Sequence, residues 1–188
     1  MYEIRRYADV NVGGTAGLLD WLANHEHKVQ RVVVASSRAI YGEGKYTDDN
    51  DHVVYPEARN ADDMQAGRFE PLCPRTGQPL TLQATDEESK IHPTSVYGIT
   101  KQNQEQMVMT VCPTIGIEPV ALRYQNVYGP GQSLKNPYTG ILSIFSTRVL
   151  NGNPINIFED GKESRDFVFI DDVVESTYLA LTRAQAAG

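Results

Sequence analysis

Two short runs, RVVVAS (residues 31–36) and EPVALRY (residues 118–124), constrain this chain more than anything else in it. A strand with one wet face alternates apolar and polar side chains. The first run is continuous and β-branched instead, the pattern of a strand covered on both faces, and the second reads as the next buried strand. Around them the period changes to that of helices. Residues 2–23 carry apolar side chains at Ile4, Tyr7, Val10, Leu18, Leu19 and Leu22. Interrupted by Gly13 and Gly14, they predict one long helix ending near His25. Val96, Ile99, Met107, Val108 and Val111 predict another, capped by Ser95 and ended by Pro113 and Gly116. Residues 140–152 and 171–184 predict two more helices, and INIF (155–158) and DFVFI (166–170) two short strands. Alternating helices and strands predict an α/β fold with a parallel sheet.

One stretch resists this reading. Residues 38–93 are rich in Gly, Pro, Asp and Thr and show no sustained period. Structureless segments of that length are uncommon in a compact domain and are usually functional or lid-like.

The 188 residues suffice for one domain with a real core. A net charge of −7 argues against a nucleic-acid or anionic-membrane surface, although one or two arginines can still build a local anion site. No apolar run approaches a membrane span and the amino terminus has no signal-like segment, so the cytosol is the expected compartment. Two cysteines make no disulfide framework. Cys73 opens a CPRTG turn in which Thr76 stands where a second thiolate would be, and His25 and His27 would point in different directions on a helix. Four convergent ligands cannot be assembled, so no metal is expected.

The chemistry-bearing residues fall in an informative order. Ser36 and Ser37 end the first buried strand, and ligands of open α/β sheets bind at the carboxyl ends of strands. Tyr97 and Lys101 lie one turn apart on one face of the following helix, and Asn126 ends the next strand. All could reach one crevice. A phenol ionises near pH ~10 and is a poor base at neutrality. A lysine one turn away favours its charged form, so the pair can exchange a proton with a substrate hydroxyl that Ser37 positions. Taken alone, the pair reads slightly better as two solvated residues on an exposed helical face. Arg165 has the planar fork that suits a diphosphate, and reads equally well as a surface ion pair with Glu163 or Asp166.

Four segments in sequence, SSRAIYGEG, SVYGITKQNQEQ, ALRYQNVYGPGQSLKNPYTG and FEDGKESRDFVFIDDV, resemble the extended short-chain dehydrogenases/reductases of the nucleotide-sugar epimerase branch. The resemblance covers nearly the whole chain. The insert, about residues 47–92, and NPYTGILSIF are similar to the dTDP-L-rhamnose 4-epimerase-like subgroup. The resemblance implies part of a Rossmann-type doubly wound parallel sheet within residues 1–133. Residues 134–188 would then be a partial substrate-binding region with a returning strand and helix. It implies NAD as cofactor, a nucleotide sugar as substrate, and a homodimer built on the first helix and the Tyr97 helix, with Tyr2, Leu18 and Met109 as candidate contacts.

By the same resemblance Ser37, Tyr97 and Lys101 are catalytic, and Ser36, Tyr97, Lys101 and Tyr124 meet the cofactor. Ser37, Asn126, Asn156, Phe158 and Arg165 meet the substrate, and Asn11 matches a frequent asparagine of either functional or buried structural role. The implied reaction is C4 epimerisation through a 4-keto sugar, with a 4-keto reductase or another sugar epimerase as the alternative. Dehydratases of the family carry an Asp-Glu pair after the active-site Ser/Thr. Arg38 and Ala39 stand there, which disfavours dehydration.

The chain departs from the family in one respect. It has no strand followed by Gly-x-x-Gly-x-x-Gly and a helix, the unit that holds a cofactor pyrophosphate. The expectation is that the chain starts in the family's fourth helix, about three βα units in, and binds NAD weakly or not at all by itself. A catalytically inactive fragment or a binding scaffold is the reading of another class that this supports.

Overall fold

The computed structural model of the chain describes residues 3–134 and 140–186. Tyr2 and residues 135–139, which include most of the NPYTG segment, lie outside the described residues. The chain begins with α1 (Ile4–Tyr7), a π-helical segment (Ala8–Gly13) and α2 (Gly14–Asn24) end to end. The helix expected over residues 2–23 is therefore continuous but widens where it meets Gly13 and Gly14, weak helix formers that let an extra residue into the turn. Asn11, inside the wide segment, donates from Nδ2 to Thr100 Oγ1 at 3.0 Å, and Gln104 Nε2 donates to Thr15 Oγ1 at 2.7 Å. Both bonds tie this helix to α4 (Val96–Thr114).

β1 (Arg31–Ser37) and β5 (Glu118–Tyr124) pair in parallel, in register from Arg31 opposite Glu118 to Ser37 opposite Tyr124. The core sits where α2 and α4 cover this pair: Leu19, Leu22, Val34, Val108, Cys112 and Ile117 are buried together. Farther on, β6 (Asn126–Tyr128) pairs in parallel with β7 (Phe167–Phe169), and α5 (Ile141–Leu150) lies between them in sequence. The last long helix, α6 (Ile170–Thr182), packs on β1. There Arg31 donates to the carbonyls of Ala180 and Arg183 at 2.8 and 2.6 Å, satisfying acceptors at the end of α6. The expected α/β class with parallel pairing is what forms.

Two expectations need correction. Residues 38–93 are not a structureless loop. β2 (Tyr46–Thr47) pairs antiparallel with both β3 (Val53–Val54) and β4 (Thr81–Leu82), with α3 (Ala61–Gln65) between β3 and β4. Tyr46, Val54, Cys73 and Leu80 form a small core of their own. Strands of two residues are too short to leave a period in the sequence. INIF, expected as a strand, pairs with nothing: Ile157 and Phe158 are 75% and 66% exposed, and a strand without a partner has no ladder to hold it.

No helix among the described residues is long and apolar enough to cross a membrane.

Candidate active site

β1 ends at Ser37, and the chain turns there. The Ser37 hydroxyl accepts from the Ala39 amide at 3.1 Å and so caps a 3-10 turn over Arg38–Tyr41. As a hydroxyl it keeps its own hydrogen to donate. α4 begins opposite, where Ser95 Oγ accepts from the Gly98 amide at 3.0 Å. Gly98 is what lets the two meet. A Cβ there would lie 2.5 Å from the Ala39 carbonyl oxygen and 2.9 Å from Pro93 Cβ, so only glycine permits α4 to touch the turn after Ser37.

That contact delivers Tyr97 and Lys101 beside the end of β1. Lys101 Nζ donates to the Ala35 carbonyl at 3.0 Å and stands 5.9 Å from the centre of the Tyr97 ring. Burial pushes the Lys101 pKa down. Tyr97 is 38% exposed, its ring edge-on to Tyr7 at 5.9 Å, so its face remains approachable.

One turn beyond Lys101 the same stripe of α4 carries Glu105. Its carboxylate takes Nε and Nη2 of Arg123 on β5, the shortest bond being 2.6 Å. Arg123 also donates to Tyr41 Oη at 2.6 Å and to the Glu87 carbonyl at 3.0 Å. Burial pushes the Glu105 carboxyl up, but the hydrogen bonds from Arg123 outweigh it and hold the group below the usual carboxylate range. Arg123 is raised, first by its bond to Glu105. This largely buried ion pair joins β5, the 3-10 turn, α4 and the end of the insert. The sequence reading missed it. The signal was an acid four residues after Lys101 on a helix face that otherwise goes into the core.

A cleft of about 750 Å³ opens beside the turn, its wall including Arg38, Tyr46, Arg59, Ser95, Gln125 and Arg165. Arg59, from the insert, donates to Glu159 at 2.7 and 2.9 Å and faces Glu43 and Glu163 at 3.5 Å each. Arg165 pairs with Glu163 at 3.1 Å and donates to the Ser164 carbonyl at 2.7 Å.

The expected substrate residues divide. Arg165 is on the cleft wall, and Asn126 lies at the start of β6 with its side-chain Nδ2 buried and unpartnered. Asn156 and Phe158 are exposed and do not line the cleft. Tyr124, expected at the cofactor, has its hydroxyl bonded to Thr177 Oγ1 at 2.6 Å, which ties β5 to α6.

These residues fit one end of a nicotinamide dinucleotide site: an approachable Tyr97, a cation beside it, and a Ser37 hydroxyl with a hydrogen to give. For the pyrophosphate the fold family uses a glycine turn at a helix amino terminus. β1 runs instead into the serine-capped turn, and no described strand is followed by such a unit. Among the described residues no group of three or more His, Cys, Asp or Glu side chains could hold a metal ion.

A profile of the NAD dependent epimerase/dehydratase family matches residues 1–61 and 73–188. The chain is 38% identical over 185 residues to dTDP-L-rhamnose 4-epimerase of Burkholderia thailandensis, covering 98% of this chain and 50% of that protein. UDP-glucose 4-epimerase from Thermotoga maritima, solved with UDP-glucose, superposes with a TM-score of 0.66 at 30% identity, over 96% of this chain and 46% of that one. UDP-glucose 4-epimerase of Thermus thermophilus, solved with NAD, superposes with a TM-score of 0.60 at 29% identity, over 93% of this chain and 46% of that one. The chain thus spans about half the length of these relatives.

Proposed function

The chain belongs to the NAD-dependent epimerase/dehydratase family, and from that premise we propose that it carries the proton-transfer and sugar-holding side of a nucleotide-sugar 4-epimerase. The observation that carries the reading is the Gly98 contact, which sets the Tyr97–Lys101 face of α4 against the turn capped by Ser37. Tyr97 takes the proton of the sugar C4 hydroxyl and returns it once the sugar presents its other face. Lys101 supplies positive charge beside the phenol oxygen, and Ser37 donates to the sugar oxygen and fixes its place. NAD, when bound, supplies a reversible hydride acceptor at C4. Ser36, Tyr97 and Lys101 would hold its nicotinamide end.

Arg165 and the Asn126 amide would take the diphosphate, consistent with their places on the cleft wall and buried beside it. The substrate class we favour is a dTDP-linked 6-deoxyhexose, on the strength of the Burkholderia relative. A second copy of the chain against the exposed Ile4, Val10 and Leu18 belongs to the same reading.

Tyr97→Phe is the test. In protein that turns over dTDP-L-rhamnose with NAD, the variant should lose about 10²–10⁴-fold in turnover while binding the sugar nucleotide as before. Turnover near that of wild type would remove Tyr97 from the mechanism. A need for stoichiometric reduced cofactor would mark a 4-keto reductase instead. The absence of a glycine turn among the described residues favours a second reading, a catalytically silent sugar-nucleotide scaffold. Calorimetric titration of NAD⁺ into this chain separates the two.

A further inference from the structure

Arg38 follows Ser37 directly, opens the 3-10 turn and lines the cleft. Its side chain is half-buried and, among the described residues, makes no hydrogen bond or ion pair. The other two arginines on the cleft wall are both paired, Arg59 with Glu159 and Arg165 with Glu163. Burial, and then the charge of Arg165, push the Arg38 pKa down, and the charges of Glu163 and Glu43 offset this only in part. A guanidinium offers five donors in a rigid fork. Leaving that fork unpaired in a partly dry wall, next to a like charge, is unfavourable unless an anion arrives to take it.

We propose that Arg38 is a substrate-binding residue whose guanidinium grips an anionic oxygen pair on the bound nucleotide sugar, alongside Arg165. The proposal rests on the nucleotide-sugar reading and deepens it. Two sources carry that chemistry: the phosphate attached to the sugar, or a carboxylate on the sugar ring. Adjacency to Ser37 places Arg38 at the sugar end of the cleft in either case. Occupation by an anion turns an unfavourable charge into a bidentate, charge-assisted contact, so Arg38 favours the liganded state over the free one.

The experiment titrates dTDP, dTDP-glucose and dTDP-glucuronic acid into the 188-residue chain and its Arg38→Met and Arg38→Lys variants, with a thermal melt of each unliganded protein. Arg38→Met should weaken every ligand that carries the anion Arg38 grips by about 10- to 100-fold. Its unliganded melting temperature should equal or exceed that of wild type, because an unpaired charge has gone. Arg38→Lys should recover only part of the binding, since an ammonium is a point charge and not a fork. Equal losses across the three ligands assign the phosphate, and a loss confined to dTDP-glucuronic acid assigns the carboxylate. Wild-type binding of all three by Arg38→Met overturns the proposal and leaves the nucleotide-sugar reading standing. A lower melting temperature together with weaker binding also overturns it, marking Arg38 as a structural prop. Folded wild type that binds none of the three overturns both.

Discussion

On one side of the crevice, α4 lies against the Ser37 turn with no Cβ between them; on the other, Arg59 crosses from the insert to Glu159, about a hundred positions away in sequence. The first side is made by shape. Its parts are a glycine contact, a serine cap and a lysine bonded to a backbone carbonyl, backed by Val108 and Cys112 farther along α4. The second side is made by charge, with three arginines and several acids around a polar cleft. Close packing resists displacement steeply, because interiors have no slack. Ion pairs at a cleft wall weaken with salt and exchange partners at little cost. The crevice therefore has one side suited to holding reacting atoms still and another suited to rearranging around a ligand.

The sharpest break to that contrast is the Arg123–Glu105 ion pair on the rigid side. Removing Arg123 leaves Glu105 charged and largely buried, and should cost about 3–5 kcal/mol, measured by urea denaturation of Arg123→Met. The pH dependence follows from the direction of the Glu105 shift. Its folded-state pKa lies below the unfolded value, so the carboxylate stabilises the fold above about pH 4.3. That stabilisation is lost as pH falls through the folded-state pKa. The gap in stability between wild type and Glu105→Gln should thus be widest near neutrality and narrow in acid. A gap independent of pH would mean that Glu105 acts by packing alone.

Next in size is Gly98→Ala. The atom it would meet first is a backbone oxygen at 2.5 Å, which cannot swing away, so α4 or the Ser37 turn must shift. Overpacking of this kind costs about 1–3 kcal/mol. Activity should fall further than stability does, because the displacement separates Ser37 from Tyr97. Unchanged turnover in a folded Gly98→Ala protein would show that the two sides of the contact are not coupled.

How much of this could be read from the chain follows the same division. The three valines of β1, the period of α4 and the Ser95 cap are local patterns, and they placed the strand that ends at Ser37 and the helix that carries Tyr97 and Lys101. Gly98 sits inside the quoted VYGITK stretch, yet its role depends on Ala39, some sixty positions earlier, and no local pattern announces that. Glu105 and Arg123 look like two unrelated charges until β5 is laid beside α4. The insert was unreadable for a different reason: two-residue strands, an Asx-capped turn at Asn60 and ion pairs to distant loops leave no period at all. INIF failed in the opposite direction, since its apolar letters promised a strand that has no partner to pair with.

The smallest effect belongs to the charged side, and it is the one that tells lid from scaffold. Arg59→Met removes the contacts to Glu159, Glu43 and Glu163, which are partly exposed, and should cost only about 1 kcal/mol of global stability. The contacts to Glu159 and Glu163 join the insert to the loop that carries Arg165, so their loss should appear as local opening and not as unfolding. Limited proteolysis within residues 61–80 should quicken in Arg59→Met. Wild type in about 1 M salt should do the same, since screening weakens the same pairs. If bound nucleotide sugar suppresses cleavage in wild type and fails to in the variant, the insert closes over the cleft through Arg59. If cleavage is slow in both and indifferent to salt, the small core around Tyr46, Val54, Cys73 and Leu80 holds the insert in place without the arginine, and the charged wall is as fixed as the packed one.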